Sequence, residues 1–274
     1  MIKIRRIYAE WSYKDRDLLN SKGLTLSSDV GYSSFDIEEG ELYGSLSSFL
    51  NKKRKNFSDS QIGTVFSEEE VNASDYYAIF LPIKGYPQPT NDGSYRNLTF
   101  VDFYKSSGIK KLGQPNPFIL KGEPKWKNNE VAFGVFWEYD TFFAKKEFYE
   151  NYLMPLGLCS RDVHIDRKGT KAKSVVQVVI PYASSELKIE NTAYDVGYTC
   201  SESGIKKYSQ QILDFLPTFK DSVNQKICLS KEFFGEGLVA SHKIIIDKGV
   251  LNLFIKHKII KKITNVHPMR DITF

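Results

Sequence analysis

Short apolar runs of strand length, set between irregular polar segments, constrain the fold of this 274-residue sequence more than any other feature. The runs VAFGVFW at 131–137 and VVQVVI at 175–180 are each long enough for one buried strand. The opening IKIRRIY alternates as a strand does, and VASHKIII at 239–246 is also strand-like. These runs do not alternate regularly with helices. The pattern therefore predicts an α+β fold with mainly antiparallel sheets and short flanking helices.

Several segments have the spacing or the caps of short helices. Leu42, Leu46 and Leu50 share one face of a helix expected at 41–53. The rest of 20–63 is expected to be loop with short elements, and 85–97 a turn or projecting loop. The other expected helices are one begun by a capping box of Ser67 and Glu70, the amphipathic segment 142–153, the segment 209–216, and one capped by Asp247 that extends to about His257.

Length and composition indicate a globular protein. The chain fits either one α+β domain over 1–274 or two intertwined lobes, the first at 1–63. With 41% apolar, 26% charged and 14% aromatic residues, extensive disorder is not expected. The three cysteines are an odd and widely spaced set, which indicates a reducing, cytoplasmic setting. No apolar run is long enough for a membrane span, so no membrane partner is expected.

Charge gives little support for a nucleic-acid partner. The net charge of +5 is not concentrated in a stripe. The one dense basic run, Lys52–Lys55, is interpreted as a solvated surface. A nucleic-acid-binding module that uses this run and the lysine pairs at 110–111 and 206–207 is a weaker alternative, and its signature would be steeply salt-dependent binding.

The string Ser-Gly-Ile-Lys-Lys occurs twice, at Ser107–Lys111 and at Ser203–Lys207. A zinc knuckle has the form Cys-x-x-Cys-Gly, in which two thiolates reach one ion and the glycine allows the left-handed turn. In this chain the corresponding strings are Tyr-Lys-Ser-Ser-Gly at 104–108 and Cys-Ser-Glu-Ser-Gly at 200–204. One thiol cannot hold zinc alone. We therefore expect two knuckle-shaped turns without a metal, at Tyr104, Ser107, Gly108, Cys200, Ser203 and Gly204.

An ordered set of strings from about residue 64 to the end resembles one family. The strings are FSEEEVNASDYY, GYPQP, SSGIKKLGQPNPFILKGEPKW, FWEYDTFF, CSESGIKKY and LSKEFFGEGLVASHKIII. In this order they are similar to the double-CxxCG immunity proteins of bacterial polymorphic-toxin systems. This chain would be a degenerate member of that family, since it lacks three of the four motif cysteines.

The resemblance implies a cytoplasmic protein that binds and blocks a cognate toxin domain, and it does not imply catalysis. It also implies that packing replaces the metal, with Tyr104 filling part of the space. Neither a cofactor nor a small-molecule substrate is expected, because phosphate-binding loops and the GxSxG elbow are absent from the sequence.

Aromatic and acidic residues in polar segments are candidate contacts to such a partner. Buried aromatic anchors and charged pairs carry most of the energy of tight protein complexes. Carboxylates can also steer the encounter with a nucleic-acid-cutting toxin. The candidate partner-binding residues are Asp36, Glu38, Glu39, Glu41, Tyr32, Tyr43, Tyr86, Tyr95 and Trp126.

The alternative from another class is a metal-dependent enzyme. In the string Asp162-Val-His164-Ile-Asp166, a strand would place the three polar side chains on one face. Such a face could bind a divalent metal. A half-exposed strand with Val163 and Ile165 inward explains the same pattern without a site. The remaining histidines and cysteines lack ligand spacing and are interpreted as structural, with Cys159 and Cys228 buried.

Overall fold

The computed structural model describes residues 1–25, 31–53, 56–89, 93–110, 113–127, 129–165, 169–195, 197–263 and 266–271. Within them the chain is α+β with mainly antiparallel sheets, which confirms the expected fold class. The chain divides into two compact units. One comprises 1–70 with 211–214, and the other comprises 71–210 with 215–274.

The first unit is a three-stranded antiparallel sheet whose buried face packs against two helices. Alternate residues of the first strand, Ile7, Ala9 and Trp11, point into this core, where Leu46 and Leu50 meet them. The sheet order is β2-β1-β3. The elements are β1 (Ile2–Trp11), α1 (Tyr13–Ser21), β2 (Gly31–Glu38), α2 (Glu41–Lys52) and β3 (Phe57–Val65).

The expected first strand and the helix at 41–53 are confirmed, but the rest of 20–63 is more regular than expected. Strands β2 and β3 lie where loop was predicted. β3 carries few apolar residues and owes its extended form to antiparallel pairing along β1. Serine-rich strands of this kind lack the alternation that identifies a strand from sequence.

The second unit contains several small sheets. Two sheets have four strands, in the orders β10-β13-β9-β8 and β16-β18-β4-β19. Smaller sheets have the orders β12-β11-β7 and β14-β15-β17, and β5 pairs with β6. The strands are β4 (Tyr76–Ile79), β5 (Phe103–Tyr104), β6 (Ile109–Lys110), β7 (Ile119–Leu120), β8 (Ala132–Val135), β9 (Glu138–Lys145), β10 (Cys159–Arg161), β11 (His164–Ile165), β12 (Thr170–Lys171), β13 (Val175–Val179), β14 (Gly197–Thr199), β15 (Lys206–Tyr208), β16 (Ile227–Leu229), β17 (Phe233–Phe234), β18 (Ile244–Asp247) and β19 (His267–Pro268).

The remaining helices are short, and two of them begin at the predicted caps. Ser67 and Glu70 form the expected capping box, with Ser67 Oγ 3.2 Å from the Glu70 amide. Asp247 Oδ1 accepts from the Val250 amide at 2.7 Å. The helical segments are α3 (Glu68–Asn72), α4 (Tyr95–Thr99), α5 (Lys146–Phe148), a π turn (Tyr149–Leu153), a 3₁₀ turn (Met154–Leu156) and α6 (Lys248–Lys256).

One sequence expectation in this unit is wrong, and two are confirmed only in part. The helix predicted at 142–153 is confirmed only from Lys146 to Leu153, as α5 and the π turn. Residues 142–145 belong to β9, where Phe142 and Phe143 are buried on opposite faces of a central strand. The segment 209–216 is not helical. The apolar run at 131–137 is a strand only as far as Val135, and its last two residues form the turn into β9.

Candidate functional site

The first four residues of the first Ser-Gly-Ile-Lys-Lys string, Ser107–Lys110, form the end of the hairpin turn and strand β6, which pairs with β5. Lys111 lies outside the described residues. Gly108 has a φ of +68°, the left-handed conformation that the knuckle pattern predicts. A Cβ at this position would collide with the main-chain carbonyl of Leu238. Glycine is therefore required both by the turn and by the neighbouring backbone.

The second string closes the turn between β14 and β15. Gly204 has a φ of +69°, and its amide donates to the carbonyl of Cys200 at 2.8 Å. The Cys200 amide donates to the carbonyl of Ile205 at 2.9 Å. The two strings thus adopt similar glycine turns.

The two turns lie against each other. Ser106 Oγ is 3.9 Å from Cys200 Sγ and donates to Glu202 at 2.8 Å. Cys200 is fully buried in a small apolar cluster, against which Tyr104 packs. We call residues 104–108 and 200–204 the paired turns. Tyr104 thus packs against the cluster that contains Cys200, and its filling of a vacated metal site stays a prediction.

The Cys200 sulfur lies in a polar nest. The hydroxyls of Ser107 and Ser203, together with main-chain amides of the second turn, lower the pKa of the Cys200 thiol to about 6. Ser107 Oγ is also 3.4 Å from the carbonyl of Tyr104, so its hydroxyl has two acceptors within reach. The nest stabilises a thiolate by hydrogen bonds.

A buried lysine ties the paired turns to a third segment. Lys207 Nζ donates to the carbonyls of Ser107 at 3.2 Å, Gly237 at 2.7 Å and Val239 at 3.1 Å. Burial lowers the pKa of this amine. In the described part of the chain, no group of three or more histidine, cysteine and carboxylate side chains has the arrangement of a metal site.

A buried ionic network adjoins the first turn and was not predicted from the sequence. Glu138, fully buried, accepts from Tyr95 at 2.6 Å and from Arg96 at 3.0 Å. Lys110 Nζ donates to Glu138 and lies 3.3 Å from Asp140. Burial opposes the charge on Lys110, but the two carboxylates raise its pKa above the ordinary value. These charges balance one another, and their contacts fix the ends of β6 and β9.

The same network extends to a histidine at the wall of a small cavity of about 160 Å³. Asp140 Oδ2 accepts from the amide of His242 at 3.1 Å. Burial disfavours ionisation of Asp140, but Lys110 and His242 hold its pKa below the ordinary value. For His242, desolvation itself lowers the pKa, because burial disfavours the charged imidazolium. This network could not be predicted from the sequence, because its members come from distant segments without regular spacing.

Three exposed aromatic side chains cluster at the β8–β9 turn. Tyr86, Phe136 and Trp137 are 45%, 37% and 37% exposed. The Tyr86 ring centroid lies 4.6 Å from that of Phe136 and 5.1 Å from that of Trp137. Trp137 has a φ of +66°, a conformation that bulky residues rarely adopt. We call these three residues the aromatic cluster.

The structure separates the other predicted aromatic contacts into exposed and internal side chains. Tyr32 is 65% exposed and stacks on Tyr8, as a surface anchor requires. Tyr95 is fully buried, so it is unavailable to a partner and serves the ionic network instead. Tyr43 donates to Asp59 at 2.5 Å, and Trp126 packs against a core cluster. Tyr86 and Tyr32 are thus the predicted anchors that lie open to solvent.

The four predicted acidic contacts lie in the first unit, at the end of β2 and the start of α2. Asp36, Glu38, Glu39 and Glu41 are all exposed. Asp36 is held by the Arg6 guanidinium at 2.7 Å, which lowers the pKa of its carboxyl. Their role in partner binding stays a prediction.

The structure describes Asp162, Val163, His164 and Ile165 of the Asp-x-His-x-Asp string on which the enzyme alternative rests. His164 lies in β11, and Val163 is buried as expected. Asp162 forms an ion pair with Lys171 at 2.8 Å. Asp166 lies outside the described residues, as do Arg54 and Lys55 of the basic run.

The cysteines that the motif does not include differ in burial. Cys228 is buried as expected, and burial raises its pKa to about 12. Cys159, expected to be buried, is exposed at the start of β10, where its strand lies at the edge of the sheet.

Among the described residues, no helix combines the length and apolar character needed to cross a membrane. No family model, no curated protein and no solved structure matches this chain.

Proposed function

We propose that this chain is an immunity-type protein that binds a toxin domain and neutralises it by direct contact. The observation that carries the proposal is the meeting of the paired turns around Cys200. These segments are about ninety residues apart in sequence, with Ser106 and Cys200 separated by 94 positions. The resemblance to double-CxxCG immunity proteins requires that they adjoin, whereas chance repetition of a turn string does not.

The aromatic cluster is the candidate contact with the toxin. Tyrosine and tryptophan are enriched among the residues that dominate binding energy, because they bury large areas at small entropic cost. The strained Trp137 backbone supports the same interpretation, since a glycine would satisfy this turn better. A residue retained against local strain is expected to serve a purpose other than folding.

Neutralisation by contact needs no chemistry from the inhibitor. The buried charges at Glu138 and Lys110 are paired with each other, which suits a stabilising role. In this proposal they hold the β8–β9 hairpin rigid, and a rigid contact surface loses less entropy on binding. Tight inhibition then depends on a few anchors rather than on a large interface.

The test is co-expression with any toxin domain found in a neighbouring reading frame, followed by a binding measurement on the purified pair. Protection of the cells and formation of a stoichiometric complex are expected. Continued killing together with absence of binding would refute the proposal.

Variants then locate the contact. Trp137→Gly relieves the strained backbone, so the fold should be kept while toxin affinity falls by more than about 30-fold, or 2 kcal/mol. Tyr198→Ala is the matched control, because Tyr198 is a comparably exposed aromatic residue outside the cluster. An equal loss in both variants would exclude the aromatic cluster as the specific contact.

A further inference from the structure

A second surface of the second unit has a different chemical character. A groove of about 630 Å³ lies between the segment at Pro82–Lys84, the start of β8 and the end of α6. Its floor is aliphatic and includes Ile83, Ala132 and Ile255. Phe133 also lines it but is almost fully buried. The groove therefore offers apolar contact without an exposed ring.

The rim of this groove is cationic. Exposed lysines follow one another closely at the end of α6, at positions 256, 258, 261 and 262, and Lys258 and Lys261 line the groove itself. Within the described chain, none of these four side chains forms an ion pair. Glu130, which also lines the groove, is already paired with Lys84 at 2.7 Å. The rim thus has an excess of uncompensated positive charge.

Lys258 occupies a position where glycine is normally found. Its φ is +58°, immediately after the C-cap His257. The Lys258 amide donates to Ile255 at 3.0 Å and the Ile259 amide to Phe254 at 2.9 Å, which closes the helix in a left-handed cap. A cation is favoured at this end of a helix, but Lys256 in the last turn already provides one. The lysine at the strained position places an additional charge on the groove.

We propose that this groove binds an acidic, apolar segment of another protein. Aliphatic or aromatic side chains of that segment lie against Ile83 and Ile255, and its carboxylates face Lys258 and Lys261. The absence of an exposed ring among the described lining residues disfavours single-stranded nucleic acid, which uses aromatic platforms for its bases. This surface shares no residue with the aromatic cluster, and the proposal does not depend on a toxin.

The experiment measures fluorescence anisotropy with defined probes and the full chain. The first probe is a fluorescein-labelled peptide of about twelve residues, roughly three helical turns, that combines glutamates with leucine and phenylalanine. The second has lysine in place of glutamate, and the third is an oligothymidine of similar length. The acidic peptide should bind most tightly, and its affinity should fall with added salt because exposed charges are screened.

Three variants separate the contributions. The double variant Lys258→Glu/Lys261→Glu should weaken the acidic peptide by at least about tenfold, whereas the control Lys121→Glu/Lys226→Glu should not, because both of its lysines are exposed and lie outside the groove. Ile83→Ser should weaken the peptide without changing the binding of oligothymidine. Lys258→Gly should raise the melting temperature and still weaken the peptide, so that loss of binding cannot be attributed to loss of fold.

Each of three results would overturn the proposal. The first is equal binding of the acidic and basic peptides, and the second is unchanged affinity after the double charge reversal. The third is tighter binding of oligothymidine than of the acidic peptide, which would indicate a phosphate-binding surface instead.

Discussion

Lys243 gives the sharpest test of how the second unit balances charge against burial. Its side chain is 3% exposed and lies between the rings of Phe80 and Phe234, with Nζ 4.9 Å from each ring centroid. One carbonyl, that of Gln210, accepts from Nζ at 3.2 Å. Desolvation lowers the pKa of the amine from 10.5 to about 7. The folded state therefore releases this proton at a much lower pH than the unfolded chain.

The direction of the effect on stability follows from this shift. Between about pH 7 and pH 10.5 the unfolded chain holds a proton that the folded chain lacks, so the free energy of unfolding rises with pH. The free energy of unfolding rises by up to about 1.4 kcal/mol per pH unit, and its total rise across this pH range is on the order of 5 kcal/mol. Below pH 7 both states are protonated, and the full cost of the buried ammonium remains.

The variant Lys243→Met keeps the stem of the side chain and removes its charge. Below about pH 7 it should be more stable than the parent by several kcal/mol, and the difference should shrink as the pH approaches 10. Cation–π contacts act in the opposite direction and contribute about 1–2 kcal/mol. Since this is smaller than the desolvation cost, the net effect of the substitution is stabilising.

Urea unfolding of both proteins across this pH range provides the measurement. Fluorine-labelled tryptophans distinguish the two units, because Trp11 reports on the first and Trp126 and Trp137 on the second. The Cys200 thiol also makes stability rise with pH above about 6, but it is present in both proteins and cancels in the difference. The prediction is wrong if the stability difference between Lys243→Met and the parent does not change with pH, or if the variant is less stable. Either result would show that the Phe80 and Phe234 rings keep the buried ammonium charged.

Further predictions concern the paired turns and the ionic network. Gly108→Ala should destabilise the protein by more than about 3 kcal/mol, since it adds a backbone clash to an unfavourable φ. The control Gly113→Ala should cost only about 1 kcal/mol, because Gly113 has a similar φ but an added Cβ there meets open space. Equal losses of stability in thermal unfolding would refute the close approach of Gly108 to the Leu238 carbonyl. Glu138→Gln should lower the free energy of unfolding by about 3–5 kcal/mol, because it leaves Lys110 buried with less compensating charge. The control Glu130→Gln, at a more exposed carboxylate, should lower it by less than about 1 kcal/mol. Similar denaturant midpoints for the two variants would contradict this prediction. A variant with cysteine at the three other motif positions should retain one zinc ion after dialysis, measured by elemental analysis, and a metal-free product would show that the turns do not converge as required. Those three positions are Tyr104, Ser107 and Ser203.

The sequence predicted best where local chemistry alone decides the structure. The capping box at Ser67 and the cap at Asp247 require only neighbouring residues, and both formed. The segment at 142–153 has helical spacing throughout and is helical from Lys146 onward, but pairing of β9 with strands on both sides makes its first four residues a strand. Pairing with distant strands decides the structure of such segments, and the periodicity of one segment carries no information about that pairing.

The candidate site was predictable only in part for the same reason. The repeated string identified both glycine turns, and a template in which they share one ion placed them together. Of the three residues of the aromatic cluster, Tyr86 was predicted as a contact because it lies in a polar loop. Phe136 and Trp137 were not, because they end an apolar run of strand length. The turn between β8 and β9 lacks the glycine or asparagine that usually identifies a hairpin, so nothing in the sequence separated it from the strand.

The position of Phe136 and Trp137 has a consequence for how such a protein can change over time. β8 and β9 are registered by their own backbone pairs, with Val135 opposite Glu138 across the turn. The two aromatic residues between them contribute little to that register and can be replaced while the scaffold stays intact. Under the proposed function, descendants of this chain could therefore acquire new toxin partners by altering the hairpin tip alone, without having to rebuild the core beneath it.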